Sequence, residues 1–396
     1  MSNIITPTVD AVNAQGIFRL NEIAEYKRLR RWPIQSGIMG YGINYGGFFG
    51  TEVPTGPYTA NVMQPSRMYV VVEESTLDWT FASGFMTGAA ELLKSDGTRW
   101  GIGGTSGTPV HGDGTVTVLP ILTQLDESSW TKIAVMGAAG GIGIQANTPG
   151  VWAWGIGTGY RLGTGLSSSA IRPVQTMADK EFVDCACAST ASFAVTTTGE
   201  LWSVGNATSS FSGITGQGSA TGSIVNWTRI GTDSDWDRVV AGPATAAARK
   251  TNGDWYWWGE ESSTRLGTSS AKNSPTLIAG ANGALDVVMG STATFLLHSD
   301  RSLYSVGSVW NNGRNLAWTN ITTDPILTSV QHVSAGADGG AAVTTSGLLY
   351  TWGDRGVAAY RPNDFPSSAS DAGNPVQVPL GTTTTSIQGG TLIMLP

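Results

Sequence analysis

The chain has 396 residues, with 22 Lys+Arg against 29 Asp+Glu and a formal net charge of −7. Only 13% of residues are charged, 40% are apolar and 53 are glycine. This composition excludes a disordered polyelectrolyte and a coiled coil, and the acidic balance argues against broad nucleic-acid affinity, which needs basic surface.

In chain order, residues 1–33 come first and differ from the rest. Arg19, Lys27, Arg28, Arg30 and Arg31 face Asp10, Glu22 and Glu25, a net of +2 that leaves −9 for residues 34–396. Asn21 is placed to cap a short helix over Glu22 to Arg31, stopped at Trp32-Pro33. No charged segment followed by an apolar core opens the chain, so the sequence predicts no secretory signal peptide. No run of 18 apolar residues predicts a membrane-spanning helix. Residues 1–33 read either as a solvated basic helix leaning on the body or as a docking arm. The segment Gly16-Ile-Phe-Arg-Leu-Asn-Glu22, followed by Arg31-Trp-Pro33, resembles a short segment near the start or edge of many tailed-bacteriophage virion proteins. That resemblance implies particle docking through Phe18, Leu20, Arg28, Arg30, Arg31 and Trp32.

From residue 34 onward the sequence repeats. A turn with glycine, a few apolar or aromatic residues and a closing glycine recur as Thr148-Pro-Gly-Val-Trp-Ala-Trp-Gly155, Asn252-Gly-Asp-Trp-Tyr-Trp-Trp-Gly259 and Ser346-Gly-Leu-Leu-Tyr-Thr-Trp-Gly353. Weaker copies end at Gly205 and Gly307, and a truncated one, Asp96-Gly-Thr-Arg-Trp-Gly101, comes first. The closing glycines are 46 to 54 residues apart. Before each phrase lies a small-residue strand, such as Asp184-Cys-Ala-Cys-Ala188 or Val239-Val-Ala-Gly242. A second strand follows in at least three units. After the phrase comes a Gly-rich loop, twice bearing Arg-Leu-Gly (161–163 and 265–267), then a proline (Pro173, Pro275, Pro325, Pro375) before an outer strand. Each unit reads as four short antiparallel strands, and no helical periodicity follows Pro33.

These features resemble the RCC1 repeat, the blade of the regulator of chromosome condensation family of β-propellers. The resemblance implies an all-β propeller over residues 34–396. Residues 39–65, with Tyr41-Gly42 in place of Trp-Gly, look like the second half of a repeat, and Thr385 to Pro396 like the first half. Together they predict one composite blade, giving a seven-bladed propeller closed by its N- and C-terminal strands, preceded by the arm at residues 1–33.

Candidate chemistry is sparse. Cys185 and Cys187 share one strand face and read as buried thiols. No second Cys or His pair completes a zinc set. His111, His298 and His332 share no motif. The adjacent pairs Glu73-Glu74 and Glu260-Glu261 diverge on strands and do not form a glycosidase pair. Gly137 to Gly143 lacks the helix that a phosphate loop needs. The sequence therefore predicts no enzyme, cofactor or metal. Three long loops, Asn206–Asn226, Ser308–Thr319 and Asp354–Asn374, offer Phe211, Trp310, Asn311, Trp318, Tyr360 and Phe365 for surface recognition, since aromatic faces beside amides suit sugars. The alternative is that the aromatics pack their own loops.

The leading expectation is a non-enzymatic bacteriophage virion protein, tail- or fibre-associated or a capsid decoration. Its expected partners are other virion proteins through residues 1–33, in several copies on a symmetric particle, with host-surface glycan as a further partner and neither nucleic acid nor membrane insertion. A cellular RCC1-like interaction module or nucleotide-exchange scaffold is the alternative, and a glycan-cleaving tail enzyme the third reading.

Overall fold

The computed structural model describes residues 38–43, 61–67, 79–85, 89–135, 139–261, 270–307, 315–321, 327–335, 339–353, 375–378, 386–388 and 392–394. Strands β1 (Ile38–Ile43) and β2 (Asn61–Arg67) come first. Six antiparallel sheets of four consecutive strands follow. They are β3 (Trp79–Phe85), β4 (Ala89–Lys94), β5 (Arg99–Gly103) and β6 (Leu119–Gln124); then β7 (Trp130–Val135), β8 (Gly140–Gln145), β9 (Val151–Gly155) and β10 (Ala170–Thr176). The third comprises β11 (Phe182–Cys187), β12 (Ala191–Thr196), β13 (Leu201–Ala207) and β14 (Gly222–Arg229). The fourth comprises β15 (Trp236–Ala241), β16 (Thr245–Lys250), β17 (Trp255–Gly259) and β18 (Lys272–Leu277). The fifth has β19 (Asp286–Met289), β20 (Ala293–Leu297), β21 (Leu303–Gly307) and β22 (Asn315–Asn320); the sixth has β23 (Val330–Ala335), β24 (Gly339–Thr344), β25 (Leu349–Gly353) and β26 (Val376–Val378). A further sheet joins the two ends of the chain in the order β2-β1-β28-β27, with β27 (Ser386–Gln388) and β28 (Leu392–Met394). Met39 there pairs with Ile393.

The molecule is an all-β propeller. Six blades are each cut from one continuous stretch of chain, one fewer than the seven expected from the sequence; the antiparallel sheet β2-β1-β28-β27, built from two separate stretches, makes the difference. The first strand of each blade is innermost: β3, β7, β11, β15, β19 and β23 touch in succession, and β27 touches both β23 and β3. Two complete helical turns lie among the described residues, both 3-10: Thr158–Tyr160 and Ser209–Phe211.

The repeated phrase forms the third strand. In β9, β17 and β21 the burial runs buried, half-buried, then three buried, because one face meets each neighbouring blade. The closing glycine takes a left-handed backbone, +102° at Gly155 and +113° at Gly259. A Cβ on Gly155 would lie 2.2 Å from the Ala139 carbonyl, so only glycine fits there. The first copy ends at Gly103, not Gly101: Gly103 pairs with Ala89 as Gly205 pairs with Ala191. Ile102, fully buried, thus stands where later copies carry Trp or Val. The truncated sequence had hidden this two-residue offset.

Tryptophans of the phrase fill the seams between blades. Trp154, Trp258 and Trp352 are fully buried. Trp258 meets Phe193 of the preceding blade edge-to-face at 5.4 Å, and Trp352 meets Phe295 in the same way at 5.4 Å. The Trp258 indole donates to the Ile214 carbonyl at 2.8 Å, and the Trp154 indole to Glu91 Oε1 at 3.1 Å. A burial of this size, with its polar edge satisfied, dominates the packing energy. Cys185 and Cys187 are buried free thiols in the seam between the second and third blades, and burial pushes both well above the usual thiol range.

Trp258→Ala is expected to lower the unfolding free energy by about 3–5 kcal/mol, whereas the exposed Leu166→Ala stays within about 0.5 kcal/mol. Denaturant titration checks this; equal losses for the two would refute the seam assignment.

Candidate functional site

Antiparallel order fixes which connections share a face. The short turns between second and third strands, and the links from each fourth strand to the next blade, lie at one end of the propeller. The turns between first and second strands, and the long loops between third and fourth strands, lie at the other.

At the long-loop face, residues 104–118, 156–169 and 208–221 are held against the next blade. Gly114 N–H donates to the Ile171 carbonyl at 2.7 Å, and Gly218 N–H to the Asn273 carbonyl at 2.8 Å. Arg161 of the Arg-Leu-Gly motif donates to the Ser189 carbonyl at 2.6 Å and receives the Ser192 hydroxyl on its own carbonyl at 2.7 Å. Gly163 abuts the Trp227 indole of the neighbouring outer strand. These loops are thus ordered by the scaffold. The second Arg-Leu-Gly, at 265–267, lies outside the described residues.

The recognition residues expected from sequence divide unevenly. Phe211 sits in the 3-10 turn and packs on the core between the third and fourth blades. The loop there is 208–221, shorter than expected, because β13 and β14 extend into it. Trp318 is not in a loop at all: it lies on β22 and packs against the seam of Trp255, Trp257 and Val287. Both are half-buried against seams between blades rather than packed on their own loops. Trp310, Asn311, Tyr360 and Phe365 lie outside the described residues, as do Phe18, Leu20, Arg28, Arg30, Arg31 and Trp32.

The opposite end carries a feature the sequence reading missed. Innermost strands β3, β7, β11, β15 and β23 shift register near their start, for example between Phe182 and Asp184 and between Trp236 and Arg238. The residue just after each shift occupies one equivalent position. Successive blades from the second to the sixth place there Lys132, Asp184, Arg238, Asp286 and His332. Signs alternate around the axis. Lys132 Nζ is 2.9 Å from Asp184 Oδ1, and an Arg238 terminal nitrogen is 2.8 Å from Asp286 Oδ1. Asp184 also accepts the Cys185 N–H at 3.0 Å and, across the next seam, the Val239 N–H at 2.9 Å. One carboxylate therefore ties three blades. Burial raises the Asp286 carboxyl, against the pull of Arg238; burial lowers the His332 imidazole, which Asp286 opposes. The only signal in the sequence was one charged or polar residue near the start of each small-residue strand.

Nearby, Glu200 accepts the Trp202 indole N–H at 3.1 Å and pairs with Lys180 and Arg229 at 3.3 and 3.0 Å. Burial alone would raise its carboxyl, but these partners outweigh it and hold it below the usual range. No group of three His, Cys, Asp or Glu among the described residues is arranged to hold a metal.

Asp184→Ala should cost about 2–4 kcal/mol, since it strands a buried N–H and a lysine; Lys132→Ala should cost less than about 1 kcal/mol. The reverse ranking in urea titrations would contradict the three-blade tie. Glu200, with a depressed native value, contributes stability above its unfolded value near ~4.3 that is lost as pH falls through the native one. Glu200→Gln should therefore flatten the acid limb of the stability profile; an unchanged limb would count against the cluster.

No protein-family model matches the chain. A stretch of 167 residues, 40% of this chain, is 31% identical to the human E3 ubiquitin-protein ligase HERC2, and it amounts to 3% of the ligase's length. Among solved structures, human WBSCR16 superposes with a TM-score of 0.70 at 18% identity, over 91% of this chain and 98% of that one. Yeast RCC1 (Prp20), solved bound to Kap60, gives a TM-score of 0.72 at 13% identity, over 91% and 89%. A second structure of Prp20p from Saccharomyces cerevisiae, whose binding to Gsp1p and histones was studied, gives 0.72 at 14% identity over 91% of each chain. At these identities the likeness speaks for the fold, and the fold is an RCC1-like β-propeller.

Proposed function

We propose that this chain is a non-catalytic binding scaffold, a rigid propeller that presents its long-loop face to a macromolecular partner. The observation that carries this reading is the bracing of residues 104–118, 156–169 and 208–221 on the following blade by backbone hydrogen bonds and buried side chains. Loops ordered before binding lose less entropy when a partner arrives. We count the sheet β2-β1-β28-β27 as a seventh blade that closes the ring, because β27 touches the innermost strands on both sides.

The setting we propose is the virion of a tailed bacteriophage, with residues 1–33 fixed to the particle and the propeller displayed outward. Support comes from the likeness of residues 16–33 to virion segments and from a body poor in charge and in cysteine. The second reading is a cellular RCC1-like interaction module or exchange scaffold. It is favoured by the superposition on Prp20p, a protein studied for its binding to Gsp1p and histones.

Immunogold labelling of particles in a lysate of the source separates the two. Label at the tail, the fibres or the capsid is expected, and deleting residues 1–33 should abolish it while leaving the melting temperature of the propeller unchanged. Absence of label from every particle would remove the virion reading. Trp310→Ala and Tyr360→Ala should weaken partner or cell-surface binding without changing melting, whereas Phe211→Ala should lower melting; binding unaffected by all three would place recognition elsewhere.

A further inference from the structure

The seam between the first two continuous blades contains a buried cluster of charges. Glu91 on β4 and Arg99 on β5 are fully buried, and His111 of the 104–118 loop is 2% exposed. Arg99 donates to Glu91 Oε2 at 2.9 Å, to the His111 carbonyl at 2.9 Å, and twice to Asp126 Oδ2 at 3.0 and 2.6 Å. Its guanidinium lies 4.1 Å from the Trp154 ring centre and 5.0 Å from that of Trp130, both on the second blade. Asp126 is further satisfied by the Ser128 N–H and the Trp130 indole. Glu91 Oε1 receives the Trp154 indole across the seam.

His111 completes the cluster. Its Nε2 lies 3.1 Å from the Gly103 carbonyl, and a carbonyl only accepts, so Nε2 carries a proton. Its Nδ1 is buried without a hydrogen bond and faces Glu91 Oε1 at 3.4 Å. In a neutral ring that nitrogen presents a lone pair to a buried carboxylate. Glu91, Asp126 and Arg99 then sum to one net negative charge; Asp126 is 21% exposed, but the fully buried Glu91 faces the ring lone pair, a costly contact. An imidazolium instead donates from Nδ1 to Glu91 and brings the sum to zero.

We propose that His111 is a proton-sensitive latch between these two blades. With two ring protons it joins Gly103 to Glu91, and through Glu91 to Trp154 of the next blade. With one, it opposes Glu91 and loosens the seam. The ionisable groups facing it are Glu91 from β4, Arg99 from β5 and Asp126 beyond β6; the thiol of Cys187 on β11 lies within the field of Glu91. Only the doubly protonated ring can donate from Nδ1 to Glu91, so the latch contributes at acid pH and its contribution fades as pH rises. His332 acts with the opposite sign, because burial disfavours its charged form.

The test compares the full chain with His111→Gln, which keeps a donor for Gly103 but takes no charge. The melting-temperature gap between them should be larger at pH 5.5 than at pH 8 by about 2 °C or more. Taking the difference cancels His298 and His332, which both proteins share. A gap independent of pH, or one that grows with pH, overturns the latch. Should the variant fail to fold, long-range proton–nitrogen NMR of the unaltered chain decides: the His111 ring is expected to show two protonated nitrogens at pH 6 and one at high pH. A single protonated nitrogen throughout refutes the proposal.

Discussion

The contact on which the rest of this molecule depends is the seam between adjacent blades, where a tryptophan or its substitute is pressed between sheets and held by the loop of the blade before it. A four-stranded blade of this size has two apolar faces and no core of its own. Trp154, Trp258 and Trp352 turn those faces into shared cores. Their indole N–H groups impose the geometry, because each must find an acceptor once buried; for Trp154 and Trp258 the preceding blade supplies it, through Glu91 and the Ile214 carbonyl. Gly112 and Gly216, both in left-handed conformations, keep the preceding loops close enough to cover those rings.

Around this apolar frame runs a second, polar set of ties. Asp184 binds groups from three blades, Arg238 and Asp286 pair across the next seam, and Glu91 with Arg99 reaches the second blade. Glu91–Arg99 is fully buried and the pairs of Lys132 and Arg238 are half-exposed; at either depth such pairs add little net stability relative to apolar packing. Their consequence is register: a blade displaced by one residue would leave several charges unpaired. The same property suits a surface that must present loops in fixed relative positions, which is the link from packing to the proposed binding role.

Much of this was legible in the sequence, for a physical reason: repeated cores need repeated residues. The Trp-Gly phrase of the later copies and the small-residue inner strands fall where the spacing put them; of the prolines expected before an outer strand, Pro375 directly precedes β26, Pro173 and Pro275 lie within β10 and β18, and Pro325 lies outside the described residues. Local shifts were not legible. The first phrase ends at Gly103 because Ile102 replaces the aromatic, and nothing in Arg99-Trp-Gly-Ile-Gly103 announces that offset. Trp318 read as a loop residue because an apolar strand behind a Gly- and Asn-rich stretch has no turn signal of its own. The alternating belt from Lys132 to His332 was invisible for a different reason. Its members are some fifty residues apart, and only their equivalent register against the second strand of each blade brings them to one ring.

Shared seams, and the ring we propose they close, make the blades one mechanical body. Scanning calorimetry of the full chain tests it most directly. A closed ring has no terminal repeat from which to fray, so the calorimetric and van't Hoff enthalpies should agree in a single transition. Several resolved transitions, or a calorimetric enthalpy well above the van't Hoff value, would show blades melting independently and contradict the account.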